Sequence, residues 1–98
     1  MVGDILIVDD ERDIRSLIGM TLKDEGYSAQ EAANAKDARD MLAAQPPSLA
    51  ILDIWMRDSD MDGLELLEWV KSIYPDLPVL MISGHGTIET AVQAIRQG

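Results

Sequence analysis

Asp53 closes an apolar run, Leu49-Ala-Ile-Leu-Asp53. A second run, Ile5-Leu-Ile-Val8, ends in Asp9 and Asp10, and a third, Val79-Leu-Met-Ile82, ends in Ser83-Gly84. Runs that are apolar throughout suit strands covered on both faces. In an open parallel sheet, the carboxyl edge of the strands is where ligands bind. Three carboxylates, one hydroxyl and a strand-end glycine at such an edge suggest a divalent cation and a phosphoryl group. Carboxylates ~4 Å apart repel by up to about 4 kcal/mol per pair at an effective dielectric of 20. Either a cation neutralises them or one of them takes up a proton. Mg²⁺ suits the site, being hard, bound by a few oxygens and retaining several waters. A carboxylate can form an acyl phosphate, and phosphoryl transfer needs positioning and charge stabilisation more than covalent help.

Each of these residues also has a plain structural reading. Asp10 is a good helix N-cap with Asp13 near N3, where acids meet the positive end of the helix dipole. Asp53 could simply begin a turn, and Ser83-Gly84 could be one. Their convergence on one sheet edge favours a metal and phosphoryl site, and Asp10 can serve as both cap and ligand. Asp58-Ser-Asp-Met-Asp-Gly63 matches the first six positions of a calcium loop. The twelfth position of such a loop should be a bidentate Glu, and here it is Trp69, with Glu68 one place early. A solvated acidic loop ending in a helix cap at Asp62 fits better. His85, the only histidine, reads as an exposed loop residue, and Trp55 and Trp69 as packing residues.

The elements that must carry these groups follow from hydrophobic period. A β-type run spans 4–8, and helical spacing spans 10–25 through Ile14, Leu17, Ile18, Thr21 and Leu22, closed by Gly26. A more polar strand at 27–32 suits a sheet edge. Asn34 caps a helix over 35–45, with Ala38, Met41 and Leu42 inward, and Pro46-Pro47 stops it. The strand at 49–53 leads to a third helix over 62–74, with Leu64, Leu67, Val70 and Ile73 or Tyr74 on its buried face. Asp62 and Glu65 have capping-box spacing, and Met61 with Leu66 could form a hydrophobic staple. Pro75 and Pro78 frame the way to a fourth strand over 79–83, and a last helix spans about 87–97. Strands alternating with helices imply a parallel sheet with helices on both faces.

Composition bounds the rest. At 98 residues and 47% hydrophobic, the chain suits one globular domain with one modest core. No apolar run approaches the ~20 residues of a membrane span, and nothing at the start looks like a secretion signal. The absence of cysteine excludes a disulfide framework and a thiolate site. A cytosolic protein is the expectation. With 18 acids against 8 Lys and Arg, net charge −10, the surface repels polyanions and favours cations or basic protein surfaces.

Asp9-Asp10, Asp53 and Ser83, in this order and spacing, resemble the receiver domain of two-component response regulators across all 98 residues. The stretch from Ser83 to Gly98 is similar to receivers of nitrogen-regulation enhancer-binding proteins, and the long loop from Trp55 to Gly63 to their NtrX-type branch. The resemblance implies a flavodoxin-like, CheY-like doubly wound sheet of order 2-1-3-4. It implies that Asp53 accepts the phosphoryl group, that Asp10 binds Mg²⁺ directly and Asp9 through water, and that the backbone carbonyl of Trp55 is a further ligand. Ser83 would hydrogen-bond the phosphoryl oxygens and move on activation. The phosphodonor would be a histidine kinase, and the output an attached ATPase and DNA-binding part outside this chain. By the same resemblance the chain is a phosphoacceptor signalling domain and not an enzyme.

Two departures from the family pattern stand out. Arg57 occupies a position that is usually Pro, in a loop two residues longer than usual. The chain also ends at Gly98, before the family's fifth strand and helix, and so without the family's Lys and its aromatic switch residue. One domain over 1–98, incomplete at its C-terminus, is the expectation. The fourth strand would then be an open edge that invites pairing, giving a homodimer by strand or helix exchange. The alternative function is a truncated, non-phosphorylated dimerisation module. A phosphohydrolase using Asp53 as nucleophile would need a second acid two residues on, where Trp55 stands.

Overall fold

A computed structural model describes residues 4–54, 56 and 60–82. Its elements are β1 (Asp4–Val8), α1 (Arg12–Asp24), β2 (Ser28–Ala32), α2 (Ala35–Ala44), β3 (Leu49–Asp53), α3 (Gly63–Ile73) and β4 (Val79–Ile82). The strands form one parallel sheet of order β2-β1-β3-β4, the doubly wound arrangement expected for the chain. The expected helix over 87–97 and the last residue of the expected fourth strand, Ser83, lie outside the described residues.

Strand alternation divides the core in two. Leu6 and Val8 of β1 and Ala50 and Leu52 of β3 face α2 and α3, where they meet Leu42, Leu66 and Val70. Ile5, Ile7 and Ile51 face the other way, toward Ile18 and Leu22 of α1. Apolar residues on both strand faces are what a sheet covered on both sides needs. β2, with mostly exposed polar positions, lies at the edge.

Helix ends follow local chemistry. Asn34 Oδ1 accepts the Asp37 N–H at 2.8 Å. At α3, Asp62 Oδ1 accepts the Glu65 N–H (2.8 Å) while Glu65 Oε1 accepts the Asp62 N–H (3.2 Å), completing the expected capping box. Met61 packs against the same cluster as Leu66. α1 closes with the Tyr27 N–H on the Leu22 carbonyl (2.9 Å) and the Gly26 N–H on the Lys23 carbonyl (3.0 Å), the two bonds of a Schellman motif. Gly26 has φ +95°, with open space where a side chain would be. Gly26→Ala is therefore expected to lose roughly 1–2 kcal/mol from backbone conformation alone, read as a lower urea midpoint with unchanged slope.

Not every periodic apolar residue of α1 is buried, and the buried face of α3 differs from the one expected. Leu17 is half-exposed, and α1 buries Ile18, Gly19 and Leu22. In α3 the buried residues are Gly63, Leu66 and Val70, while Leu64 and Ile73 stay exposed. α3 carries more apolar residues than one face can bury, and packing onto β3 selects the Leu66–Val70 pair.

Candidate functional site

The register of β1 on β3 builds the site. Ile7 pairs with Ile51 and Val8 with Leu52. One further step brings Asp9 opposite Asp53, both on the α1 side of the sheet by strand alternation. Asp9 is 0% exposed and Asp53 1% exposed. Asp10 follows in the loop, partly exposed. Carboxylate oxygens of Asp9, Asp10 and Asp53 all lie within 4.8 Å of one another.

Asp9 is held at three points. Its N–H continues the ladder to the Ala32 carbonyl (3.1 Å). Its carbonyl accepts Arg15 Nη1 at 2.7 Å, and its Oδ1 accepts the Glu11 N–H at 2.8 Å. Arg15 also pairs with Glu31 of β2 (3.4 Å), so α1, β1 and β2 are joined where the acidic loop begins. The other carboxylate oxygen, Asp9 Oδ2, is buried with no hydrogen-bond partner among the described residues. Burial pushes the Asp9 carboxyl up to about 6. The Glu11 N–H opposes that rise, and the charges of Asp53, Asp10 and Glu11 add to it.

Asp10 does not occupy the N-cap position expected for it. The N-cap position of α1 is Glu11, whose side chain makes no capping hydrogen bond. Asp9, one residue before Asp10, accepts the Glu11 N–H, and Asp10 with the extended Glu11 carries the chain from strand into helix.

Beyond β3, the Ile54 N–H donates to the Ile82 carbonyl (2.8 Å) and the Gly63 N–H donates to the Ile54 carbonyl (3.2 Å). Both bonds anchor the chain immediately after Asp53. Asp60 forms an ion pair with Arg39 of α2 (2.6 Å), and that guanidinium holds the Asp60 carboxyl below its usual range. Asp60 and Asp62, two acids of the calcium-loop pattern, thus engage Arg39 and the α3 cap. Trp55, Arg57, Asp58, Ser83 and His85 lie outside the described residues.

The structure brings together Asp9, Asp10 and Asp53. It adds Arg15 and Gly63, which the sequence did not single out, since neither contact is local: Arg15 reaches back to the Asp9 carbonyl and Gly63 to the end of β3. Three carboxylates, one with an unmet oxygen, form a hard, anionic donor set. Such a set fits a divalent cation that prefers oxygen. Among the described residues no helix is long and apolar enough to cross a membrane.

Residues 5–98 match the family described as response regulator receiver domain. The chain is 58% identical over 95 residues to a putative NtrX-like response regulator of Rickettsia bellii, covering 97% of this chain and 20% of the relative. It is 56% identical over 98 residues to the nitrogen assimilation regulatory protein NtrX of Azorhizobium caulinodans, covering 100% of this chain and 22% of the relative. The crystal structure of the receiver domain of NtrX from Brucella abortus superposes with TM-score 0.81 at 53% identity, covering 97% of this chain and 79% of that one. The chain spans about a fifth of the length of the curated relatives it matches.

Proposed function

This chain belongs to the response regulator receiver domain family, phosphoacceptor signalling modules rather than enzymes, and from that premise we propose that Asp53 accepts a phosphoryl group from a sensor histidine kinase. The observation that carries the reading is the convergence of the Asp9, Asp10 and Asp53 carboxylates within 4.8 Å. Asp10 and Asp53 would hold Mg²⁺ directly and Asp9 through water, joined by the Trp55 carbonyl. Bound there, Mg²⁺ would neutralise the charge that builds up on the phosphoryl oxygens. A carboxylate oxygen of Asp53 attacks phosphorus, the bond from phosphorus to the donor breaks, and its electron pair leaves with the donor. The product is an acyl phosphate on Asp53. Asp9, fixed by the Glu11 N–H and Arg15, keeps the site anionic and in place. Ser83 would hydrogen-bond the phosphoryl oxygens. The output, of the NtrX nitrogen-regulation type, would be made by domains outside this chain.

Titrating tryptophan fluorescence with Mg²⁺, with and without beryllofluoride, tests this on the parent chain and Asp53→Asn. Trp55 should report, because its carbonyl is a proposed ligand. Saturable Mg²⁺ binding and a beryllofluoride response that Asp53→Asn abolishes are expected. Mg²⁺ binding with no beryllofluoride response would mean a metal site without a phosphoryl site. No response to either in a folded sample would favour a binding module that is not phosphorylated.

A further inference from the structure

We infer that Gly63 is a positioning residue for the phosphoacceptor: its lack of a side chain lets the start of α3 rest against the Asp53 peptide and so sets where the Asp53 carboxylate lies relative to Asp9 and Asp10. The inference rests on the reading of the acidic pocket proposed above. A Cβ at Gly63 would overlap the Asp53 carbonyl oxygen outright. It would also lie 2.7 Å from Ile54 Cα and 2.8 Å from the Asp53 carbonyl carbon. All three are backbone atoms, so no change of rotamer relieves the clash. Among the described glycines only Gly26 has a positive φ, so the requirement at Gly63 is one of space, not of backbone conformation.

Neither partner in this contact can give way cheaply. α3 is fixed at its first turn by the Asp62–Glu65 capping box and along its length by fully buried Leu66 and Val70. The segment after Asp53 is held by the Gly63 N–H on the Ile54 carbonyl and by the Ile54 N–H on the Ile82 carbonyl. A side chain at Gly63 must therefore separate α3 from the end of β3, and Asp53 is the residue at that end. Mg²⁺ demands near-ideal geometry from its ligands. Loss of a residue that orients such ligands typically costs on the order of 10- to 100-fold in metal affinity.

Gly19 supplies the control. It is buried in α1, but a Cβ there would meet only Glu31 Oε2 at 3.6 Å and Ile7 Cδ1 at 3.8 Å, which is ordinary contact. Mg²⁺ affinity would be measured for the parent chain, Gly63→Ala and Gly19→Ala, with circular dichroism to establish folding. Gly63→Ala is expected to bind Mg²⁺ roughly 10- to 100-fold more weakly, with Gly19→Ala at parent affinity. A folded Gly63→Ala with parent affinity, even if less stable, would overturn the inference and leave the pocket reading intact. A folded parent chain with no Mg²⁺ affinity would remove both. If Gly63→Ala does not fold, the Gly63 amide resonance of the parent chain decides. It should move on adding Mg²⁺, along with the amides of Asp9 and Asp10. A Gly63 amide that stays still while those two move would overturn the inference.

Discussion

At pH 7 and without divalent cation, Asp9→Asn is expected to be more stable than the parent chain by about 2 to 3 kcal/mol. Asp9 is shielded from solvent, and its carboxyl is pushed from 3.8 up to about 6 by burial and by the neighbouring acids. The folded state therefore holds the proton more tightly than the unfolded chain does. The stability that protonation gives is fully present below pH 3.8, the unfolded value, and is lost as pH rises through about 6. At neutral pH the parent chain keeps a buried anion at Asp9 beside two further acids. Asn leaves an oxygen for the Glu11 N–H and offers the neighbouring carboxylates an amide donor. Urea unfolding of both proteins between pH 4 and 8 checks this. The advantage of the variant should be largest above pH ~6 and shrink as the parent takes up its proton. A parent chain as stable as Asp9→Asn at pH 7, or a gap that widens on acidification, would show that burial of the Asp9 charge does not cost stability.

Chelating divalent cations is expected to slow phosphoryl acceptance from a small-molecule donor by more than about 100-fold while leaving the fold intact. The donor's phosphoryl group is itself anionic and must approach three carboxylates. Two like unit charges ~5 Å apart repel by about 3 to 4 kcal/mol at an effective dielectric of 20. One such term left unneutralised in the transition state already accounts for a slowing of roughly that size. Asp9 and Asp10 then hinder the reaction they assist when the cation is present. Time courses of intact mass with excess Mg²⁺ or excess chelator measure the effect. Equal rates in the two would show that the pocket works without a cation.

Much of this was legible in the sequence because the strands are written without ambiguity. Three apolar runs mark β1, β3 and β4, and the polar stretch before Ala32 marks β2 as an edge. Their shared carboxyl ends placed Asp9 beside Asp53 before any register was known. The caps at Asn34 and Asp62 were equally plain, since a capping hydrogen bond spans only three residues. Helix faces were harder. Leu64, Leu66, Leu67, Val70 and Ile73 allow two phases, and only the surface of β3 chooses between them. Asp10 was a credible N-cap, but the distance from the end of the strand to the first helical residue put Glu11 there. Arg15 and Gly63 could not be read at all. The one acts through a backbone carbonyl six residues earlier, and the other through the absence of atoms against a peptide that the sequence alone does not bring near.

The most direct test is peptide mass mapping after incubation with a small phosphodonor and Mg²⁺. One added phosphoryl group is expected, on the peptide containing Asp53, and none on Asp53→Asn under the same conditions. A folded, Mg²⁺-binding protein that stays unmodified, or an Asp53→Asn variant modified to the same extent, would contradict the role proposed for Asp53.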